Sequence, residues 1–572
     1  MNARKQSSGD ASLGSGKLLA AIAVLAVAFV VLAAIPAVAD DSDAAGATYY
    51  VDASKGDDTK DGTTAATAFK TIAQALDKDD NVSKIILMSD LELGNSSTTV
   101  TADAISISEA KTVEIDLNGH MINFITVNVT GGNYYAVKNA GNLTISDSST
   151  ESTGGIHVKG YPIGVIGNTG TLTINNGNFT NEISEKNGNG EQNVYYLINN
   201  TGTVDIKGGS FILDPKTAIN SSIIKNGFYT DVKTKDVEQP TIIYGNNMGV
   251  SWDYSAEDHA TATMNISGGV FKGSTYVKND FGGVMTVSGG SFDTTGAANI
   301  FTYGKLTVSD GVFKCGNEPI WAYGNAEVSV TGGDFTQAVD SAVCVTTSDK
   351  STYAVTLGLN NTKVSFTTAG ITGVQNLVRF SSNYVATGEI TIDGNKVTFE
   401  GIKAASPGLF IRAGSIEITG TMTATEANAK ITQVSGDVVL KDLTITNGTL
   451  ALDGAVTMKG TVTIDDGASL SVNKNAVVTV SGKLAGDGNV TNNGTINILT
   501  GGSTSTDVTG NEPTYTPDFV PMPPTEDDFP GYVPSQTVEK EKKDESTTQV
   551  AIVAAAIAVV LVAIIALLYK SR

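Results

Sequence analysis

The sequence predicts an all-β fold: a solenoid of short parallel strands, with one coil stacked on the next. The first observation behind this is a repeat of apolar, polar, apolar, two turn residues, Gly, any residue, Phe. It reads Leu172-Thr173-Ile174…Gly177-Asn178-Phe179. It returns as Val204/Ile206/Gly209/Phe211, Met264/Ile266/Gly269/Phe271, Met285/Val287/Gly290/Phe292, Leu306/Val308/Gly311/Phe313 and Val328/Val330/Gly333/Phe335. The second is the period: Phe271, Phe292, Phe313 and Phe335 follow one another at 21, 21 and 22 residues, the length of one strand–turn–strand coil. The third is composition: the chain has 62 glycines, and Gly supplies the positive φ that corners require.

The alternation explains the residue types. Neighbours in a strand face opposite sides, so the two outer residues of each apolar triplet fill the interior and the central one faces water. Central residues such as Thr144, Thr173, Asp205, Asn265, Thr286, Thr307 and Ser329 are polar. Parallel stacking brings equivalent residues together, so Phe179, Phe211, Phe271, Phe292, Phe313 and Phe335 are expected to form one offset-stacked aromatic ladder. The gaps from Asp205 to Asn265 and from Ser329 to Thr391 each predict about three coils. At 572 residues the chain exceeds the size of a single compact core, a limit that a solenoid escapes because each coil packs only on its neighbours.

The elements follow in order. Arg4, Lys5 and Lys17 precede an apolar run from Leu18 to Ile35, and Ala37-Val38-Ala39 precedes Asp40. Residues 1–39 therefore read as a secretory signal peptide, with an uncleaved anchor as the alternative. Residues 40–47 are a small, acidic mature start. Residues 48–84 are an N-terminal cap, because an open first coil exposes a strand edge. Within it, Phe69, Ile72, Ala73 and Leu76 share one helical face, predicting a helix over 66–77.

Residues 85–500 are the solenoid, and residues 45–500 at about 21 per coil predict roughly twenty coils. A long excursion over 214–262 carries Trp252, Asp253, Tyr254, Glu257, Asp258 and His259. Past residue 450 the strand–turn units shorten. Residues 501–549, with prolines among Thr, Asp and Glu, read as an extended stalk. Val550–Leu568 lacks any charged residue and is long enough for a membrane-spanning helix. Lys570 and Arg572 in the tail 569–572 favour a cytoplasmic end. The expected location is the cell membrane, single-pass, with residues 40–549 outside the cell.

The formal net charge of −22 argues against a nucleic-acid partner. It is compatible with surface calcium, although no cofactor is implied. Two cysteines, Cys315 and Cys344, form either one disulfide or two separate buried thiols. Three scattered histidines make no histidine metal site. About a dozen Asn-X-Ser/Thr sequons, among them Asn128, Asn142, Asn178, Asn265 and Asn360, suit a glycosylated surface protein.

Tyr50-Val51-Asp52…Gly56-Asp57-Asp58…Asp61-Gly62…Ala68-Phe69-Lys70-Thr71-Ile72…Ala75 resembles the N-terminal cap of right-handed parallel β-helix proteins, the pectin-lyase-like superfamily. Glu114-Ile115-Asp116-Leu117-Asn118-Gly119-His120 resembles a strand of surface-anchored members. Over residues 48–500 the chain resembles an archaeal adhesin-like cell-surface protein. The resemblance implies a right-handed parallel β-helix. It leaves function open, since the fold carries lyases, hydrolases and non-enzymatic adhesins. Its lyases use clustered carboxylates for calcium beside an Arg or Lys base, and its hydrolases use several Asp on adjacent coils. Here the outward carboxylates do not stack: Asp205 is followed by Asn265 and Thr286.

The expected function is therefore non-catalytic attachment to cells, a host surface or a glycan through many weak contacts. Trp252, Tyr254 and Trp321 are the candidate sugar-stacking residues. A surface-layer component is the alternative, and a polysaccharide lyase or glycoside hydrolase is the second alternative.

Overall fold

The computed structural model describes residues 46–516 apart from internal stretches at 96–98, 127, 130–132, 161–162, 183–195, 214–221, 228–241, 245–247, 251–260, 274, 281, 295–297, 339, 347–360, 382–384 and 425–428. The described chain is all-β, dominated by one long sheet of parallel pairings and consistent with a β-helix. The signal-like run 1–39, the excursion residues Trp252 and Tyr254, the stalk beyond 516 and Val550–Leu568 lie outside the described residues. Among the described residues, no helix is long and apolar enough to cross a membrane.

Three ladders run through the first part of the fold. In the triplet ladder, Lys84, Glu114, Thr144, Thr173, Asp205, Asn265, Thr286, Thr307, Ser329, Ser365 and Thr391 stand on successive rungs. Asp205 pairs directly with Asn265, so the 60 residues between them hold one coil with a long insertion, not three coils. A single rung, Ser365, separates Ser329 from Thr391. With Thr48 below Lys84 the ladder has twelve levels before residue 392 among the described residues. A second parallel stretch from Glu417 through Val439, Thr457, Thr479 and Asn497 to Thr514 adds six among the described residues. Long insertions account for the shortfall from the roughly twenty coils expected. This second stretch keeps three ladders, the other two passing through Leu443–Val462–Leu484 and Leu450–Leu470–Val490.

In the second ladder the six phenylalanines stack in order, with ring centroids 4.8–5.1 Å apart and planes within 9° of parallel. All six are fully buried. The corner before each Phe is a Gly with φ between +95° and +129°. At Gly269 a side chain would also press on the carbonyl of Gly209 in the coil below, at 3.2 Å, so both conformation and stacking select Gly there.

The third ladder runs through Val137-Lys138-Asn139, Ile166-Gly167-Asn168, Ile198-Asn199-Asn200, Ile224-Lys225-Asn226 and Val277-Lys278-Asn279. Its inward asparagines form a buried chain. Asn139, Asn168, Asn200 and Asn226 each donate a side-chain N–H to the next Asn oxygen at 2.7, 2.7, 2.7 and 2.9 Å. Asn279 ends the chain by donating to the Thr302 hydroxyl at 3.1 Å. From Asn168 to Asn279 each buried amide both accepts and donates along the coil axis, which offsets its desolvation, while the Asn139 oxygen at the start of the chain has no partner among the described residues.

The predicted helix over 66–77 is shorter and starts later. Ala65–Thr67 is a separate 3-10 turn, and the α-helix is Ile72–Lys78. The carboxylate of Asp58 accepts the backbone N–H groups of Lys70 and Thr71 at 2.7 and 3.0 Å, and Thr71 caps Gln74. These bonds fix an extended Thr71 as the N-cap, so the helix cannot begin earlier. Ile72, Ala75 and Leu76 are buried against the strands Ala47–Val51 and Val82–Leu87.

One strand breaks the parallel order. After Val385–Ile392 the chain reverses at Asp393-Gly394, both at positive φ, as a two-residue hairpin requires. The strand Asn395–Arg412 then runs antiparallel to four others, at 376–380, 385–392, 416–424 and 429–435. Parallel stacking resumes beyond it.

Candidate binding face

The outward column of the third ladder differs in kind from that of the triplet ladder. Successive rungs place Asn199, Lys225, Lys278, Phe301, Trp321, Cys344 and Arg379 above one another. Two residues along the strand, Asp280, Tyr303 and Tyr323 follow on three successive coils. Outward positions normally meet water. Here Lys225, Lys278, Asp280, Phe301, Tyr303, Tyr323 and Cys344 are all buried.

Phe301, Tyr303, Tyr323 and Ala298 form an apolar cluster separate from the solenoid core, with Tyr276 and Trp321 half-buried at its edge. Tyr276 stacks on Phe301 at 3.9 Å between centroids, and Phe301 lies 5.2 Å from both Trp321 and Tyr323. Tyr303 and Tyr323 stack at 5.0 Å. Such offset contacts hold the rings in fixed planes.

Charged groups flank the rings at both ends. At one end Lys278 pairs with Asp280 at 2.8 Å, both almost without solvent contact, and its ammonium lies 5.7 Å from the Tyr303 ring centroid. Burial pushes the Lys225 ammonium down to about 8; Asp280 opposes that shift and Lys278 adds to it. At the other end Glu318, fully buried, accepts the Trp321 indole N–H at 3.2 Å and is bonded by Arg379. Arg379 also lies 3.7 Å from Asp340. Partial burial is the largest influence and works against the guanidinium charge, but the bond and charge of Glu318, with Cys344 and Asp340, together outweigh it and raise the Arg379 pKa.

The two cysteines are both free and both buried. They belong to different ladders: Cys315 pairs with Thr294 in the phenylalanine ladder, and Cys344 sits between Trp321 and Arg379 in the third. The disulfide alternative therefore gives way to two separate thiols. Burial pushes Cys315 up to about 11 and Cys344 higher still, so neither is a thiolate near neutral pH.

Of the three candidate contact residues, Trp321 is the one within the described residues, and it lies in this column. Trp252 and Tyr254 fall outside them, as do Asp253, Glu257, Asp258 and His259. Sequence reasoning missed Tyr276, Phe301, Tyr303, Tyr323, Glu318, Lys225, Lys278, Asp280 and the role of Arg379. A sequence signal existed for Lys225 and Lys278, the X positions of apolar-X-Asn steps, but the Asn is lost from Thr302 onward, so the aromatic rungs at Phe301 and Trp321 carry no such mark.

Chemically, the face offers rigid aromatic planes with carboxylates held by cations. Glu318 is engaged by Arg379 and Trp321, and Asp280 by Lys278. Among the described residues, no group of three or more His, Cys, Asp or Glu gathers in a way that could hold a metal ion. The chain matches no protein-family model, no curated protein and no solved structure.

Proposed function

We propose that this chain is a non-catalytic, adhesin-like cell-surface protein built on a right-handed parallel β-helix of the pectin-lyase-like kind. In this reading the helix Ile72–Lys78 covers the open first coil. Residues 1–39 direct export, 501–549 form a stalk, and Val550–Leu568 anchor the chain with residues 40–549 outside the cell. The ligand is a glycan or a glycan-bearing surface, and the sequons decorate the exposed rod. The single observation that carries the reading is the aromatic edge of Tyr276, Phe301 and Trp321 on successive coils, outside the solenoid core. Trp321 supplies the accessible plane, and its N–H bond to Glu318 fixes that plane before any ligand arrives. Pre-ordering of this kind lowers the entropic cost of binding.

Lys225 favours a second reading, a polysaccharide-active enzyme. A lysine with its pKa brought near 8 beside a carboxylate has the proton affinity of a general base. Binding of the full chain to a glycan array and to whole cells, with release of reducing sugar ends followed in parallel, separates the two. Binding that Trp321→Ala weakens, without release of sugar ends, supports the adhesin. Release that Lys225→Met abolishes overturns it. Neither binding nor release favours the surface-layer alternative.

A further inference from the structure

The triplet ladder carries a second, unrelated surface. One strand position, outward-facing two residues before the central polar residue, is uncharged over six rungs: Thr112, Asn142, Thr171, Thr203, Thr263 and Val284. It then becomes Lys305, Glu327, Lys363 and Glu389 on four consecutive rungs. The column is strictly alternating, and all four side chains keep between 30% and 66% of their exposure. Beside it runs a column of short hydroxyl side chains, Thr307, Ser329, Ser365 and Thr391. Together they line a shallow groove of about 330 Å³. A second groove of about 260 Å³ continues it past Lys363 and Glu389 onto the antiparallel strands.

We propose that this face docks a second copy of the chain about a two-fold axis passing between Glu327 and Lys363. An isologous contact sets each residue of a column against its mirror position. Reversing Lys-Glu-Lys-Glu gives Glu-Lys-Glu-Lys. Lys305 then meets the partner's Glu389, and Glu327 meets the partner's Lys363. All four cross-contacts are between opposite charges, at rungs that match because both columns share one strand spacing of about 4.8 Å.

Two further observations fit this occupant. The column is pre-ordered along its own chain, with Lys305 3.2 Å and Lys363 3.9 Å from Glu327, and Lys396 bonded to Glu389. The face also escapes the repulsion that a net charge of −22 imposes elsewhere: Lys305, Lys363, Lys396 and Lys430 at least balance Glu327, Glu389 and Glu400. Complementary potentials of this kind set orientation and exclude wrong partners.

Sedimentation velocity of the full chain at low ionic strength tests the proposal. The expected result is a dimer that weakens as salt rises. Glu389→Lys faces the partner's Lys305 with a like charge at both ends of the contact, and dimer affinity falls by about tenfold or more. Lys305→Glu combined with Glu389→Lys restores it, although that variant still lacks the Lys396–Glu389 pair, so the recovery does not come from folding. Reversing all four charges preserves self-association but abolishes mixing with the unaltered chain. A chain that stays monomeric at low salt overturns the proposal. So does a dimer indifferent to Glu389→Lys, which places the contact elsewhere in the chain.

Discussion

Trp321 donates its indole N–H at 3.2 Å to Glu318, a carboxylate with no solvent exposure. Arg379, one rung beyond Cys344, supplies the neutralising charge. Arg379→Met leaves that carboxylate buried without its cation, and stability falls by about 3–5 kcal/mol. Adding Glu318→Gln to the same variant recovers most of the loss, because no buried charge remains. Urea unfolding of the single and double variants measures both steps.

Asn200 sits in the middle of the asparagine chain. It donates to Asn226, to the Gly202 carbonyl at 3.1 Å and to the Thr263 carbonyl at 3.0 Å, and it accepts from Asn168. Asn200→Ala strands partners on three coils, at a cost on the order of 3 kcal/mol or more. Thr302→Val, at the end of the chain, takes one acceptor from Asn279 and one donor from the Gly304 carbonyl, both of which keep other partners, and costs about 1 kcal/mol. Equal losses at the two sites would show that the chain does not act as a connected series.

Phe292 stacks between Phe271 and Phe313 at 4.8 and 5.1 Å. Phe292→Ala opens a cavity in the interior and destabilises by about 3–5 kcal/mol. Phe292→Leu keeps most of the volume but breaks two ring contacts, for a loss of about 1–3 kcal/mol. Thermal unfolding of both variants ranks them in that order.

The lowered proton affinity of Lys225 has a signed consequence. Between about 8 and the ordinary lysine value, the unfolded chain holds this proton and the folded chain does not. Stability therefore rises with pH through that window, by on the order of 1 kcal/mol per pH unit from this residue. In Lys225→Met that part of the rise is absent. Denaturant midpoints of the two proteins across the window give the difference directly.

The phenylalanine repeat was legible because its local pattern of apolar triplet, Gly corner and Phe survives intact on every coil, and from Phe271 onward its period is nearly constant. The third ladder was hidden by irregular spacing: Asn200, Asn226 and Asn279 pair in sequence, although insertions set them 26 and 53 residues apart. A search for fixed periods passes over such a series, whereas a search for apolar-X-Asn finds it. The hidden ladder also concealed the aromatic face, since Phe301, Trp321 and Arg379 share a column only once the register is known. The start of the helix at Ile72 was missed for a different reason. It depends on Asp58, a dozen residues away, accepting two backbone N–H groups.

The antiparallel strand Asn395–Arg412 bears on how the fold yields to force. A parallel stack pulled from one end peels coil by coil, since each coil is held only by the next. This strand bonds to two strands before it and two after it. Peeling that arrives from the C-terminal side must break several ladders at once there before it proceeds. The strand therefore works as a rip-stop: the coils beyond residue 416 can be lost while those before residue 392 stay closed.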